Sequence, residues 1–441
     1  MEVIKIGGAV LGKTGGFDCM LNIIKNYTSK PLLIVISAFA SETRQLESAA
    51  RLAESGNEPD AKNIISSIIK ELNKFSEKLI PNKSHLSNLK SIFKKGEKEI
   101  LNFLRGLSIT NELTPRTLDV ILSYGEYFAL QTVNQFLIEK GIKHECIDST
   151  SLIVSDTNFG NANPLLPETS AKVDTILKPA LCNNSIVLTQ GFVARDLLGE
   201  ITTMGIESSN LTATLYAELL GTKKLTIWTD VNGFRTADPK IIPNAKPIKE
   251  MNYKDAYFAS VNGLKLLYPA MVDHASEKNI KLIYRSAFEP ERNQTIVHKD
   301  ANSIAQQLFI IKENLSFIKI NLTSSKSKED AENFLNNREI KSRLFGYSIN
   351  QDTIQIIAPG FLTNKIKSAE SFGSAIIEPC SVITILNPDM IMEYISNNKN
   401  LKKYLPGIFN ININYSDKIA RLAVKPGTEK EIITHLYQKM N

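Results

Sequence analysis

Apolar residues open the chain from Glu2 to Ile6 and stop at Gly7-Gly8, a pattern that predicts a short buried strand closed by a turn. A second glycine pair, Gly15-Gly16, precedes helix-spaced apolar residues from about Phe17 to Asn26. PLLIVISAF then follows as a continuous apolar run, as expected of a strand covered on both faces. These pieces make a βαβ unit. From about Glu42 to Thr117 the spacing turns helical, as in SIIKELNKFSEKL and LSNLKSIFKKGEKEILNFLRGL, and predicts a helical excursion from the sheet that serves as a flap or a dimer surface. TLDVILSYGEYFALQTVNQFLIEKG reads as one long helix, and KHECIDSTSLIVSD returns to strand and turn. NNSIVLTQGFVA predicts a strand ending at Gly191, TTMGIESSNLTATLYAELLG a turn entering a helix, and KKLTIWTDVNGF a strand entering a turn. Strands alternating with helices to about His298 predict an α/β fold, an open, mostly parallel sheet with helices on both faces. Ligands of such sheets sit beyond the carboxyl ends of the strands, where Lys5, Ser37, Gly191 and Asp230 all fall.

Beyond Asp300 the texture changes. Stretches from Gln306 to Pro359 and from Cys380 to Asn441 each offer strand, helix and further strands, which predicts tandem α+β ferredoxin-like modules. The expected division is 1–300, with its excursion at about 42–117, and 303–441.

A length of 441 residues fits two or three domains, and 43% hydrophobic with 22% charged residues is ordinary for a folded globular chain. The net charge of +6 comes from 52 basic and 46 acidic residues scattered along the chain. FKKGEKE and NKNLKK are too short to build a nucleic-acid groove, so solvated helix faces are expected there. The four cysteines (Cys19, Cys146, Cys182, Cys380) lie far apart without metal-ligand spacing, and we expect buried thiols and no metal site. No apolar stretch reaches membrane-spanning length and no cleavable signal is evident, so the expectation is a cytoplasmic protein.

Four segments then change the picture: WTDVNGFRTADPK, SYGEY, QGFVA and GLKLLYP. In order and spacing they resemble the aspartokinases, amino-acid kinases that phosphorylate the side-chain carboxylate of aspartate. The resemblance covers Met1 to about Val297 and is most specific at Trp228–Gly233 with Thr236–Pro239. FNININYSDKIARLAVKPGTEKEIITHLYQKM is similar to the family's paired ACT modules. The resemblance implies ATP, with Mg²⁺ held mainly by phosphate oxygens and water. It implies that Lys5 stabilises the migrating phosphoryl group, with the N–H groups of Gly7 and Gly8 beside it. Ser37 and Thr43 in SAFASET would contact aspartate or phosphate, and Glu126 in SYGEY would meet the substrate ammonium. Thr229, Asp230, Arg235, Lys240 and Lys265 would line the nucleotide pocket. Lys240 stands where the family usually has arginine, and Arg235 where it usually has an aromatic residue.

One turn departs from the family. Where T-T-L-G-R-G-G-S-D is usual, this chain reads Thr202-Thr203-Met204-Gly205-Ile206-Glu207-Ser208-Ser209-Asn210. Ile206 replaces an arginine that grips the substrate carboxylate, a charged hydrogen bond of about 1.5–3 kcal/mol. Asn210 replaces the acid that orients the catalytic lysine, which leaves Lys5 without its negative partner. Arg195 is a candidate replacement for the lost grip. Three readings stay open: a divergent active aspartokinase, a kinase of another small carboxylate, and a catalytically weak relative that binds ligands or regulates. A homodimer is expected from the β-rich modules, whereas an amino-acid effector such as lysine or threonine is a weaker expectation, because the first module is short and lacks a glycine-containing ligand turn.

Overall fold

The computed structural model describes residues 1–27, 31–205, 208–304, 306–323, 329–330, 332–333, 335, 344–349, 352–360, 373–387, 405, 407–414 and 418–439. The chain forms two compact units. The first comprises Met1–Phe234, Lys249–Tyr253 and Leu266–Ala301, and the second Arg235–Ile248, Lys254–Lys265 and Asn302–Asn441.

The first unit begins with β1 (Glu2–Ile6), α1 (Gly8–Leu11), α2 (Gly16–Lys25) and β2 (Leu32–Ile36). The expected Gly7-Gly8 turn is thus the start of a one-turn helix. Next come α3 (Glu42–Glu54), α4 (Glu58–Leu79), α5 (Lys83–Thr110) and α6 (Pro115–Glu139). Asn57, Asn82 and Thr114 cap the last three with side-chain oxygens, and Pro115 presets the first turn of α6. The chain continues through β3 (Glu145–Cys146), β4 (Val154–Ser155), α7 (Leu166–Lys172), α8 (Lys178–Asn184), β5 (Ile186–Gln190), β6 (Val193–Asp196), β7 (Ile201–Thr203), α9 (Ser209–Leu219) and β8 (Lys224–Thr229). It passes into the second unit at β9 (Phe234–Arg235), and β10 (Pro247–Ile248) ends that segment. After β11 (Glu250–Met251) and α10 (Tyr253–Val261), the first unit is completed by α11 (Pro269–Lys278), β12 (Lys281–Ser286) and β13 (Thr295–Val297).

Eight of these strands form one sheet in the order β11-β13-β12-β8-β1-β2-β5-β3. Every pairing within it is parallel except β12 with β13. β2 is buried along its whole length, which is why its sequence is unbroken Leu, Ile and Val. The helical excursion folds back onto the unit rather than standing off as a flap. Leu46, Ile65, Leu72, Phe93 and Leu104 are buried in one core with Phe128 and Phe136 of α6. Phe17, Phe39, Phe75 and Phe136 meet edge to face within it, with Phe17 and Phe136 centroids 4.9 Å apart. No described helix is long and apolar enough to cross a membrane. Of the cysteines, Cys380 is buried, Cys19 and Cys146 are partly so, and Cys182 is exposed, contrary to the expectation of uniform burial. Its place near the carboxyl end of α8, in the polar sequence CNN, explains the difference.

The second unit carries β14 (Leu308–Leu322), β15 (Gly346–Ile349), β16 (Thr353–Pro359), β17 (Gly373–Leu386), β18 (Ile408–Asn414), β19 (Ile419–Val424) and α12 (Glu429–Gln438). These strands make a single ACT-like antiparallel sheet, ordered β15-β16-β14-β17-β19-β18. The two expected modules share it because β14 and β17 run well beyond FIKINL and SVITILN and pair from Leu308 with Leu386 to Leu322 with Gly373. The helix expected at KEDAENFLNN lies only partly within the described residues, and the one at MIMEYISNN lies outside them.

Candidate active site

Parallel registry aligns the carboxyl ends of β1, β2, β5 and β8, placing Lys5, Ser37, Gly191 and Asp230 along one edge. Lys5 pairs with Val35 on one side and Ile227 on the other, and it is only 7% exposed. A buried ammonium requires a compensating charge. The acid that senses it is Glu126, 4% exposed on α6, whose ionised form Lys5 favours.

Burial outweighs this attraction and pushes the Glu126 carboxyl up to about 8, while the Ala38 N–H, donating to Oε1 at 3.4 Å, draws it back. Oε2 has no hydrogen-bond partner among the described residues. The dipeptide Gly125-Glu126 is needed as a pair, since a Cβ on Gly125 would press at 3.3 Å on Ala38 and come within 3.8 Å of the Thr43 hydroxyl. The bare glycine lets α6 bring the glutamate against the β2–α3 loop. Ser37, half-buried, and Thr43 flank this contact.

The glycines after Lys5 divide their work. A Cβ on Gly8 would fall 1.8 Å from the Ala38 carbonyl oxygen, so only glycine allows this approach. The Gly7 N–H, expected to face phosphate, instead donates to Trp228 O at 2.9 Å, because it extends the β1–β8 ladder by one rung. The Gly8 N–H opens α1, where no preceding carbonyl of the helix can accept it.

Asp230, 25% exposed, pairs with Lys13 at 2.7 Å, and Lys13 also lies over the Phe288 ring. Thr229 uses its hydroxyl to close its own turn, accepting from Val231 N and donating to Val231 O. Asn210, 3% exposed, donates to Leu266 O at 2.8 Å and leaves Oδ1 without a partner among the described residues. Leu266 has φ +76, and its carbonyl is pinned from a second side by the Tyr284 hydroxyl. Ile206 and Glu207 lie outside the described residues.

Of the remaining candidates, Arg195 is not brought into this group. Arg195, exposed on β6, donates to Gly199 O at 2.6 Å across its own hairpin. Arg235, Lys240 and Lys265 belong to the second unit. Arg235 donates to Ala245 O, the Lys240 backbone N–H donates to Asp238, and Lys265 is exposed.

Three residues escaped the sequence reading. Glu42, one position before Thr43, is buried, and its carboxyl is pushed well above the usual range by burial and by the nearby charges of Glu126 and Glu71. Lys13 shows itself in the sequence only as a cation among glycines. Asp119, fully buried on α6, accepts from Gly160 N, Thr203 N and Thr203 Oγ1 and so ties the altered turn's first strand to the helix that carries Glu126.

The described residues contain no group of three His, Cys, Asp or Glu side chains able to hold a metal. What they offer is a buried cation, a buried acid and a second cation on a glycine-flanked loop, at the edge where α/β sheets bind ligands.

Residues 1–285 match the family model of the amino acid kinase family. The chain belongs to that family. Among curated relatives of this amino acid kinase, it is 26% identical over 323 residues to the chloroplastic aspartokinase 1 of Arabidopsis thaliana, across 72% of this chain and 56% of the relative. It is 30% identical to the lysine-sensitive aspartokinase 3 of Escherichia coli over 45% of each chain. The chain thus spans little more than half the length of the plant relatives it matches. Among solved structures it superposes on E. coli aspartokinase III in complex with aspartate and ADP with a TM-score of 0.84 at 19% identity, covering 99% of both chains. Clostridium acetobutylicum aspartate kinase gives 0.66 at 19% identity over the full length of both. These likenesses establish the fold.

Proposed function

We propose that this amino acid kinase transfers the γ-phosphoryl group of ATP to the side-chain carboxylate of L-aspartate, giving 4-phospho-L-aspartate, the first step toward lysine, threonine and methionine. The observation that carries the reading is the buried Lys5 beside the buried Glu126 at the carboxyl edge of the sheet. A carboxylate oxygen of aspartate attacks the γ-phosphorus, a P–O bond forms, and the bond to ADP breaks with its electron pair leaving on ADP. The acceptor is already ionised, so no general base is required. Catalysis then reduces to positioning and charge, and the Lys5 ammonium supplies the charge in a dry setting where it acts strongly. Glu126 binds the aspartate ammonium, giving up its proton as that second cation joins Lys5 beside it, and Lys13 exchanges Asp230 for a phosphate when nucleotide enters. Mg²⁺ arriving with ATP takes its ligands from phosphate and water, and no residue here is assigned to it.

One observation favours a second reading, a ligand-binding relative without turnover: Asn210 is turned to Leu266 O rather than supplying an acid at the altered turn. ADP release measured with aspartate and a panel of other small carboxylic acids separates the readings. Turnover with aspartate supports the first, and turnover with another acid alone replaces the substrate. No turnover while ATP still raises the melting temperature leaves the second. We extend the proposal to a homodimer and to feedback by an amino acid, checked by mass in solution and by activity against lysine and threonine.

A further inference from the structure

The first unit holds another cleft, of about 290 Å³, between the Phe39–Glu42 loop, α3 and α4. Phe39, Ile68, Leu72 and Phe75 give it apolar walls, and the exposed Lys74 and Lys78 stand among its lining residues. Glu42 also lines it, though only 8% exposed, and its Oε2 has no hydrogen-bond partner among the described residues. No described ion pair includes Glu42; burial and the charges of Glu126 and Glu71 disfavour its ionised form, and a hydrogen bond from the Phe39 backbone only partly offsets them. A buried carboxylate is costly unless a cation joins it.

We propose that this cleft binds an α-amino acid with an apolar side chain. Its ammonium group meets Glu42, its side chain lies along the aromatic and aliphatic walls, and its carboxylate turns outward to Lys74 and Lys78. The lysines disfavour a ligand that carries only positive charge. Binding in the cleft does not depend on the proposed role of Glu126.

Isothermal titration of the full chain tests the site with L-leucine and L-phenylalanine, with 3-methylbutylamine lacking the carboxylate, and with 4-methylpentanoic acid lacking the ammonium. An amino acid is expected to bind at millimolar concentration or better, the amine at least threefold more weakly, and the acid without detectable heat. Glu42→Gln should weaken the amino acid at least tenfold. Gln45→Trp, which fills the cleft while keeping the carboxylate, should abolish binding with folding checked by circular dichroism. Absence of saturable heat with both amino acids, equal binding by Glu42→Gln, or equal binding by the acid overturns the proposal; an amine that binds tighter than the amino acid overturns the role of the lysines. If no kinase activity is found, the binding arms still decide.

Discussion

The two glycines after Lys5 should respond very differently to alanine. At Gly8 an added methyl group would sit 1.8 Å from Ala38 O, whereas real contacts begin at 3.0 Å, so β1 and the β2–α3 loop must part by about 1.2 Å. The atom in the way is backbone and cannot rotate aside. Overpacking of this kind costs about 1–3 kcal/mol. The displaced segments also carry Lys5 and the Ala38 N–H that holds Glu126, and a misplacement of about 1 Å at a reacting centre costs on the order of 100-fold in rate. Gly7 is the control. Its backbone is extended (φ −68, ψ 145), and a Cβ there meets Trp228 O at 3.4 Å and Lys5 Nζ at 3.8 Å, both ordinary contacts. We expect Gly8→Ala to lower kcat/KM by about 100-fold and the melting temperature by several degrees, and Gly7→Ala to change either only modestly. Steady-state kinetics with thermal melts of both variants decide the matter. A Gly8→Ala protein as active and stable as the parent, or Gly7→Ala the worse of the two, would refute the reasoning.

Lys5→Ala should reduce turnover by about 100-fold or more while the melting curve stays close to the parent's, and an unchanged rate would remove the ammonium from the mechanism. Burial raises Glu126 from 4.5 to about 8, so between those values the folded chain keeps a proton that the unfolded chain has lost. Its contribution to stability is complete below about 4.5 and declines as pH rises toward 8; Glu126→Gln should flatten that decline, and equal urea midpoints shifts from pH 5 to 8 in both proteins would contradict it. Asp119→Ala strands the buried Thr203 N–H and hydroxyl, each costing about 1–3 kcal/mol, so a loss of at least about 2 kcal/mol is expected in urea titration, with Asp119→Asn recovering part of it.

Much of the first unit is legible in the sequence because its signals are local. β1 and β2 are apolar runs bounded by glycine or polar residues, and α6 shows its Thr114-Pro115 start as well as its periodicity. The strand-edge position of Lys5 follows from the same local pattern. What the sequence hides is long-range. Glu42 looks like a solvated helix-start acid and is buried only because the Phe39 loop and α4 enclose it. The Gly7 N–H is spent on Trp228, more than 200 residues away. The shared sheet of the second unit depends on β14 and β17 continuing through residues such as Lys312 and Glu378, whose polarity suggests loops until each strand is seen to have a partner.

Lys265 follows Asn262, a fully buried residue whose Oδ1 accepts from Thr384 on β17 and Arg421 on β19, while Val261 O receives the Lys312 ammonium from β14. The GLKLLYP lysine is therefore mounted on the ACT-like sheet and is not part of the kinase unit's own framework. Any distortion of that sheet would therefore reach Lys265 through Asn262 and Val261, even if every residue of the kinase unit stayed still.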